Sequence, residues 1–300
     1  MKSLLSICDV QNEITEILDL ANKFKQGLIK GKPLDGKSLA MIFQKSSTRT
    51  RVSFEVGMYE LGGYALFLSE NDLQMGRGEP ITDTAKVLSR YVDGAMIRAI
   101  NHEDLVEFEK VATIPIINGL SNLEHPCQAL ADMQTVKENK GNFDGKFVYV
   151  GDGNNVCNSL LLICACLGMD IEVASPNIYQ PNSKIIAKAK AIAKETDSKV
   201  NITDDVENAL KDADVVYTDV WVSMGDEEEQ AKRMNALAKY QVNSKLMKLA
   251  HEDAIFMHCL PAIRGQEVSA NVIDGENSVI IDQAENRLHA QKAILCHLLE

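Results

Sequence analysis

The chain has 300 residues, 45% of them hydrophobic and 25% charged, an ordinary globular composition with enough length for two domains of about 150 residues each. Its formal net charge of −12, with lysines and arginines dispersed rather than in blocks, argues against bulk nucleic-acid binding. No stretch approaches the ~20 uninterrupted apolar residues of a membrane span, and the N-terminus lacks a charged-then-apolar leader pattern, so a soluble, cytoplasmic protein is expected.

The first predicted element is an amphipathic helix, with Ile14, Ile17, Leu18, Ala21 and Leu28 at helical spacing and an exit marked by Gly31 and Pro33. Residues 39–43 form a buried-strand candidate, followed by a helix through about Leu61. Apolar runs at 65–68, 95–97 and 114–117 continue the alternation, which implies a parallel sheet flanked by helices. After the polar stretch 137–145 a second series begins, with strands expected at 147–150, 171–174, 215–218 and 255–258. A late strand is expected at 278–281, before a final helix from about Ala284. The fold class is therefore α/β: two domains, each with a parallel β-sheet flanked by helices, joined by two interdomain helices. The helix starting near Pro126 leads from the first domain into the second. The last helix, amphipathic through Leu288, Ile294, Leu295 and Leu298, returns to the first. The boundaries are 1–133 plus 284–300 for one domain and 134–283 for the other. The seven cysteines (Cys8, Cys127, Cys157, Cys164, Cys166, Cys259 and Cys296) are odd in number and form no paired C-x-x-C units. They read as reduced thiols, without a disulfide frame or zinc ribbon.

Ligands of such sheets bind beyond the carboxyl ends of the strands, and polar motifs fall at those places. Ser47-Thr48-Arg49-Thr50 ends the first strand region and opens a helix. Unpaired N–H groups at a helix start, two or more hydroxyls and a guanidinium together suit a phosphate dianion. Taken alone, the same residues are equally an N-cap and a surface arginine. Arg98 directly follows the run 95–97 and can point into a cleft, while Gln74 lies in the polar loop 71–80. His125-Pro126-Cys127-Gln128 starts a helix, with proline near its favoured first position. The positive helix end disfavours imidazolium, so His125 is expected as a neutral ring able to donate to a carbonyl oxygen, and Gln128 can read an amide. Further on come Asp219-Val220-Trp221-Val222-Ser223-Met224-Gly225 and His258-Cys259-Leu260-Pro261.

These four motifs, in this order and over essentially the whole chain, closely resemble the ornithine carbamoyltransferase family. The resemblance implies transfer of the carbamoyl group of carbamoyl phosphate to the δ-amine of L-ornithine, giving L-citrulline and phosphate, in arginine metabolism. It implies no metal and no organic cofactor, and a homotrimer or assembly of trimers. Carried over by position, Ser47, Thr48, Arg49, Thr50, Arg98, His125 and Gln128 hold carbamoyl phosphate. Gln74 corresponds to a glutamine that reaches the phosphate of a neighbouring subunit's substrate. Asn155, Asp219, Ser223, Met224, Cys259, Leu260 and Arg287 correspond to ornithine-site positions, with Asn155 aligned through Asn154-Asn155 and the downstream Asn158-Ser159. The catalytic set is Arg98, His125, Asp219 and Cys259. The Leu260–Pro261 bond is expected to be cis, as in the family. Domain closure on binding is a further expectation.

The residue chemistry suits this reaction. An alkyl ammonium with a pKa near 10.4 must lose a proton before it attacks. Asp219 can hold it and Cys259 can line the reacting end; the sequence assigns the proton to neither. Thr50, Arg98 and His125 are suitable donors to the negative oxygen of a tetrahedral centre. A covalent role for Cys259 is disfavoured, because neighbouring His258 would face the other way along a strand. A dinucleotide-binding oxidoreductase is a weaker alternative: Gly151-Asp152-Gly153 lacks the third glycine of the phosphate fingerprint, Val156 standing in its place. Aspartate, putrescine or an N-acylated ornithine as acceptor, and a non-catalytic scaffold on the same fold, are the remaining alternatives.

Overall fold

The computed structural model describes residues 3–74, 78–222 and 229–300. The chain divides into two compact units, one of residues 1–134 and 285–300, the other of 135–284. The first unit starts with helix α1 (Ile14–Lys25) and holds strands β1 (Ser38–Phe43), β2 (Tyr64–Ser69), β3 (Gly94–Arg98) and β4 (Ile116–Leu120). Helices α2 (Thr48–Glu60), α3 (Ile81–Leu88) and α4 (His102–Val111) lie between these strands in sequence. Helix α5 (Pro126–Lys140) carries the chain into the second unit. There strands β5 (Lys146–Val150), β6 (Asp170–Ala174), β7 (Val200–Thr203), β8 (Val215–Thr218) and β9 (Ile255–Met257) alternate with α6 (Asn155–Leu167), α7 (Ser183–Thr196), α8 (Val206–Ala209), α9 (Gln230–Leu237) and α10 (Ser244–Met247). Short α11 (Ala270–Ile273) precedes α12 (Ile280–Leu299), which returns the chain to the first unit.

Both sheets are parallel throughout, in the orders β2-β1-β3-β4 and β7-β6-β5-β8-β9. Parallel strands need crossovers, and the helices between them cover both faces. That is why β1 and β3 are apolar and buried almost end to end, whereas edge strand β2 is only partly covered. The first core gathers Ala40, Ile42, Ile97, Leu105, Phe108 and Ile116; the second gathers Val148, Val150, Val216, Trp221, Tyr240 and Phe256. In each sheet the chain builds outward in one direction and then crosses to the other side of its first strand. The reversals fall between β1 and β3 and between β5 and β8. At a reversal the two flanking connections leave on opposite faces, so a crevice opens beyond the strand ends.

Helix α6 is buried along most of its length, as its continuous apolar sequence requires. Asn154 caps its start through N–H groups of Val156 and Cys157, and Gly168, at φ 75°, ends it in the left-handed turn that glycine tolerates best. Two expectations need correction, and one strand, β7, was not expected. The run Ser278-Val279-Ile280-Ile281 is not a strand. Ser278 makes a single bridge to Phe256, and the N–H of Val279 donates to the Phe256 carbonyl, but Ile280 already begins α12. Its β-branched residues read as strand, a preference that depends on context and does not by itself settle the local structure. The final helix therefore begins before Ala284. The short, half-polar edge strand β7 carries too weak an apolar pattern to be read from sequence.

Candidate functional site

In the first unit the polar residues converge on the reversal between β1 and β3. Ser47 is the N-cap of α2, its Oγ accepting from the N–H of Thr50 at 3.3 Å. Thr48 is exposed, Arg49 half-buried and Thr50 buried. Arg98 is the last residue of β3 and is buried. His125, also buried, immediately precedes α5, and its carbonyl accepts from the N–H groups of Gln128 and Ala129. Burial pushes the His125 ring well below the usual 6.5, and the neighbouring charges of Arg287, Arg98 and Arg49 push it the same way. The ring is thus neutral at physiological pH. The expected neutrality holds, with desolvation as its main cause and a set of converging guanidinium groups behind it.

Arg287, on α12, belongs to this cluster. Its Nη1 donates to Gln128 Oε1 at 2.6 Å and its Nη2 to Thr50 Oγ1 at 3.2 Å. Within its own unit the structure therefore joins Arg287, whose position corresponds to an ornithine-site residue, to two of the carbamoyl-phosphate candidates, Thr50 and Gln128. Gln128 in turn donates from Nε2 to Asp132 Oδ1 at 2.8 Å, so both ends of its amide are held. Cys127 points into the core, donating to the Asn118 carbonyl, and burial raises its thiol to about 12, which makes it inert. Gln74 stands apart from the buried set, exposed in the turn that follows edge strand β2.

In the second unit the candidates gather beyond β5, β8 and β9. Asp219 follows β8 and is buried. Its Oδ1 accepts from Cys259 Sγ at 3.1 Å and from the N–H of Val220 at 2.8 Å; its Oδ2 accepts from Asn154 Nδ2 at 2.7 Å. The loop that brings Asn154 here is tight. A Cβ on Gly153 would stand 2.2 Å from the backbone nitrogen of Pro181, so only glycine fits. Asn155 opens α6 beside this cluster. Ser223 and Met224 lie outside the described residues.

The turn after β9 is unusual. Leu260 has φ 58°, in the left-handed region that costs a branched residue about 1–3 kcal/mol, and the Leu260–Pro261 bond is cis. The Leu260 N–H donates to His258 Nδ1 at 2.9 Å. That leaves the ring proton on Nε2, which faces Glu267 Oε1 at 3.2 Å. His258 and Cys259 thus turn to opposite partners, Glu267 and Asp219, and form no nucleophile–base pair. Asp219, His258 and Cys259 offer ligand atoms within 4.8 Å of one another. Each is already committed to protein hydrogen bonds, so the trio is accounted for without an ion.

Sequence reasoning missed three contributors. Asn154 reads as a helix cap, and nothing local announces its bond to Asp219. Glu267 lies in a segment without a motif. Gln291 had one usable signal: it stands four residues after Arg287, on the same face of the helix.

Chemically, the first unit offers a neutral imidazole and three neighbouring guanidinium groups, one of them fixed by Gln128 and Thr50, to an anion, while the second offers a carboxylate and a thiol to a cation. The comparisons agree with this division. The description "Aspartate/ornithine carbamoyltransferase, carbamoyl-P binding domain" matches residues 2–138, and "Aspartate/ornithine carbamoyltransferase, Asp/Orn binding domain" matches residues 144–298. The ornithine carbamoyltransferase of Methanobrevibacter smithii is 64% identical, over 100% of this chain and 100% of that protein. That of Methanothermobacter thermautotrophicus is 62% identical, over 100% and 99%. The solved ornithine carbamoyltransferase of Pyrococcus furiosus superposes with a TM-score of 0.96 at 53% identity, over 99% of this chain and 97% of that one. Two family domains that together span nearly all of the sequence, and full-length relatives of this similarity, show that the chain belongs to the aspartate/ornithine carbamoyltransferase family.

Proposed function

We propose that the chain is an ornithine carbamoyltransferase, joining carbamoyl phosphate and L-ornithine into L-citrulline and phosphate by direct attack of the amine on the carbamoyl carbon. The observation that carries this reading is the pairing of Asp219 with Cys259 at the β8 and β9 ends, in a chain whose other unit gathers arginines around a neutral histidine. Ser47, Thr48, Arg49 and the start of α2 hold the phosphate and stabilise it as it departs. Thr50, Arg98 and neutral His125 donate to the carbamoyl oxygen as it gains charge. Gln128 and Arg287 complete the carbamoyl-phosphate set. Asp219 holds the ornithine cation, with Asn155, Ser223, Met224, Cys259 and Leu260 around it, and backbone carbonyls of Cys259 or Leu260 orient the carbamoyl NH2. The ornithine amine has an intrinsic pKa near 10.4 and must shed a proton before it attacks, and the same reading sets the Asp219–Cys259 pair beside it.

The decisive experiment is a citrulline-formation assay run beside parallel assays with putrescine and aspartate as acceptors. Turnover with ornithine alone is expected. Faster carbamoylation of putrescine or aspartate would overturn the assignment. Assembly into trimers is part of the same reading. Helix α2 exposes Val52, Val56 and Tyr59, and edge strand β2 exposes Tyr64, an apolar surface suited to subunit contact. Gln74 is assigned to the phosphate of the adjoining subunit's substrate, and the protein to the cytoplasm. Light scattering that returned a monomer would remove the shared-site role of Gln74.

A further inference from the structure

Gln291 is fully buried on α12, one turn beyond Arg287, and nothing in the reaction chemistry calls for it. Its amide has only one orientation in which both ends are satisfied. In that orientation Nε2 donates to Ser53 Oγ, and Oε1 accepts from Arg287 Nε at 3.2 Å and Nη2 at 2.8 Å. Ser53 passes the contact on: its Oγ donates to the Arg49 carbonyl at 2.6 Å, one turn back along α2. Gln291 therefore sits between two parts of the cradle. On one side is the guanidinium that also bonds Thr50 and Gln128; on the other is the first turn of α2, which carries Arg49.

The identity of the acceptors matters. Arg287 donates to the oxygens of Gln128, Thr50 and Gln291, and each of these is neutral. A planar guanidinium presents its donors as a fixed fork, and three acceptors around it set its plane and direction. A carboxylate at any of these places would hold the group as well but would offset its charge. An anion site needs the orientation fixed and the charge kept.

We propose that Gln291 is a positioning residue of the carbamoyl-phosphate cradle, a buried neutral amide that fixes Arg287 and, through Ser53, the first turn of α2, while adding no negative charge of its own beside the guanidinium. This rests on the reading that the first unit takes carbamoyl phosphate. Gln291→Glu tests it most sharply, because it preserves size and acceptor while adding a negative charge beside Arg287. It also reverses the Ser53 bond: a carboxylate accepts the hydroxyl proton and frees the Arg49 carbonyl.

The measurements are calorimetric affinity for inorganic phosphate, KM for each substrate, kcat and melting temperature, on the full chain. For Gln291→Glu, phosphate affinity is expected to fall, and KM for carbamoyl phosphate to rise, by about tenfold, while KM for ornithine moves by less than about twofold. A purely structural role would shift both KM values along with the melting temperature, and that outcome, or unchanged phosphate affinity, overturns the proposal. Ser53→Ala should weaken phosphate binding in the same direction, and Ser53→Thr, which keeps the hydroxyl, should restore it. If Gln291→Glu does not fold, the Ser53 pair decides: equal phosphate affinity in the alanine and threonine variants overturns the proposal. Phosphate binding is read without turnover. A native chain that forms no citrulline, yet loses phosphate affinity on Gln291→Glu, would therefore sink the functional reading and leave the role of Gln291 standing.

Discussion

The anion cradle of the first unit and the cation site of the second solve opposite electrostatic problems with different amounts of machinery. The cradle brings several like charges to one place. Arg49, Arg98 and Arg287 all act on His125, and none of them would gather there without side chains to hold them. Hence the interlocked Thr50, Gln128, Asp132, Gln291 and Ser53, drawn from α2, α5 and α12. The cation site needs one carboxylate, and Asp219 is fixed by three short contacts from Asn154, Val220 and Cys259. Its special feature lies in the backbone, at left-handed Leu260, steadied by the His258–Glu267 pair. Repulsion has to be managed by a network, whereas attraction can be managed by a turn.

The largest expected effect is on the cradle side. Arg49→Ala removes a charged donor to the dianion, and kcat/KM for carbamoyl phosphate should fall roughly 10²–10³-fold while the chain stays folded. Unchanged carbamoyl-phosphate affinity in calorimetry would contradict the placement of the anion site. On the other side, Asp219→Asn keeps the shape but turns one acceptor oxygen into a donor facing either Cys259 or Asn154. A loss of about 10²-fold in kcat/KM for ornithine is expected, with phosphate affinity unaltered. If both variants damaged both substrates equally, the division of labour between the two units would be lost.

This division was legible in the sequence to an unequal degree. The alternation of apolar runs gave the parallel sheets, because buried strands cannot hide their composition. Ser47 to Thr50 and His125 to Gln128 were visible because local sequence supplies both the helix start and the chemistry. Arg287 was visible only by resemblance, and its partners could not be inferred: its contacts to Thr50 and Gln128 join residues 237 and 159 positions apart. Asn154 illustrates the same limit in the second unit. Capping is a local event, but its bond to Asp219 spans 65 positions and depends on how β5 and β8 pair. Long-range hydrogen bonds leave no periodic trace, which is also why Gln291 and Glu267 went unremarked.

The smallest effect, and the one that best separates the two sites, concerns pH. The folded chain holds His125 well below 6.5, chiefly by burial and then by the three arginines. Below that pH the unfolded chain takes up a proton that the folded chain refuses. The stability tied to this ring is therefore intact above 6.5 and lost as pH falls from there toward the folded value, with a slope of at most about 1.4 kcal/mol per pH unit. His102 and His289 are also held low, mainly by burial, and add losses of the same sign, so the native pH dependence alone does not isolate the cradle. The contrast with His125→Asn does, because that side chain is neutral at every pH in the range. Melting temperatures at pH 7.5 and 5.5 should converge more closely in the variant than in the native chain. Equal drops in both would mean that His125 gains its proton freely. The ring would then be neither desolvated nor crowded by the arginines as the folded chain places it, and the electrostatic contrast between the two units would fail at its most crowded point.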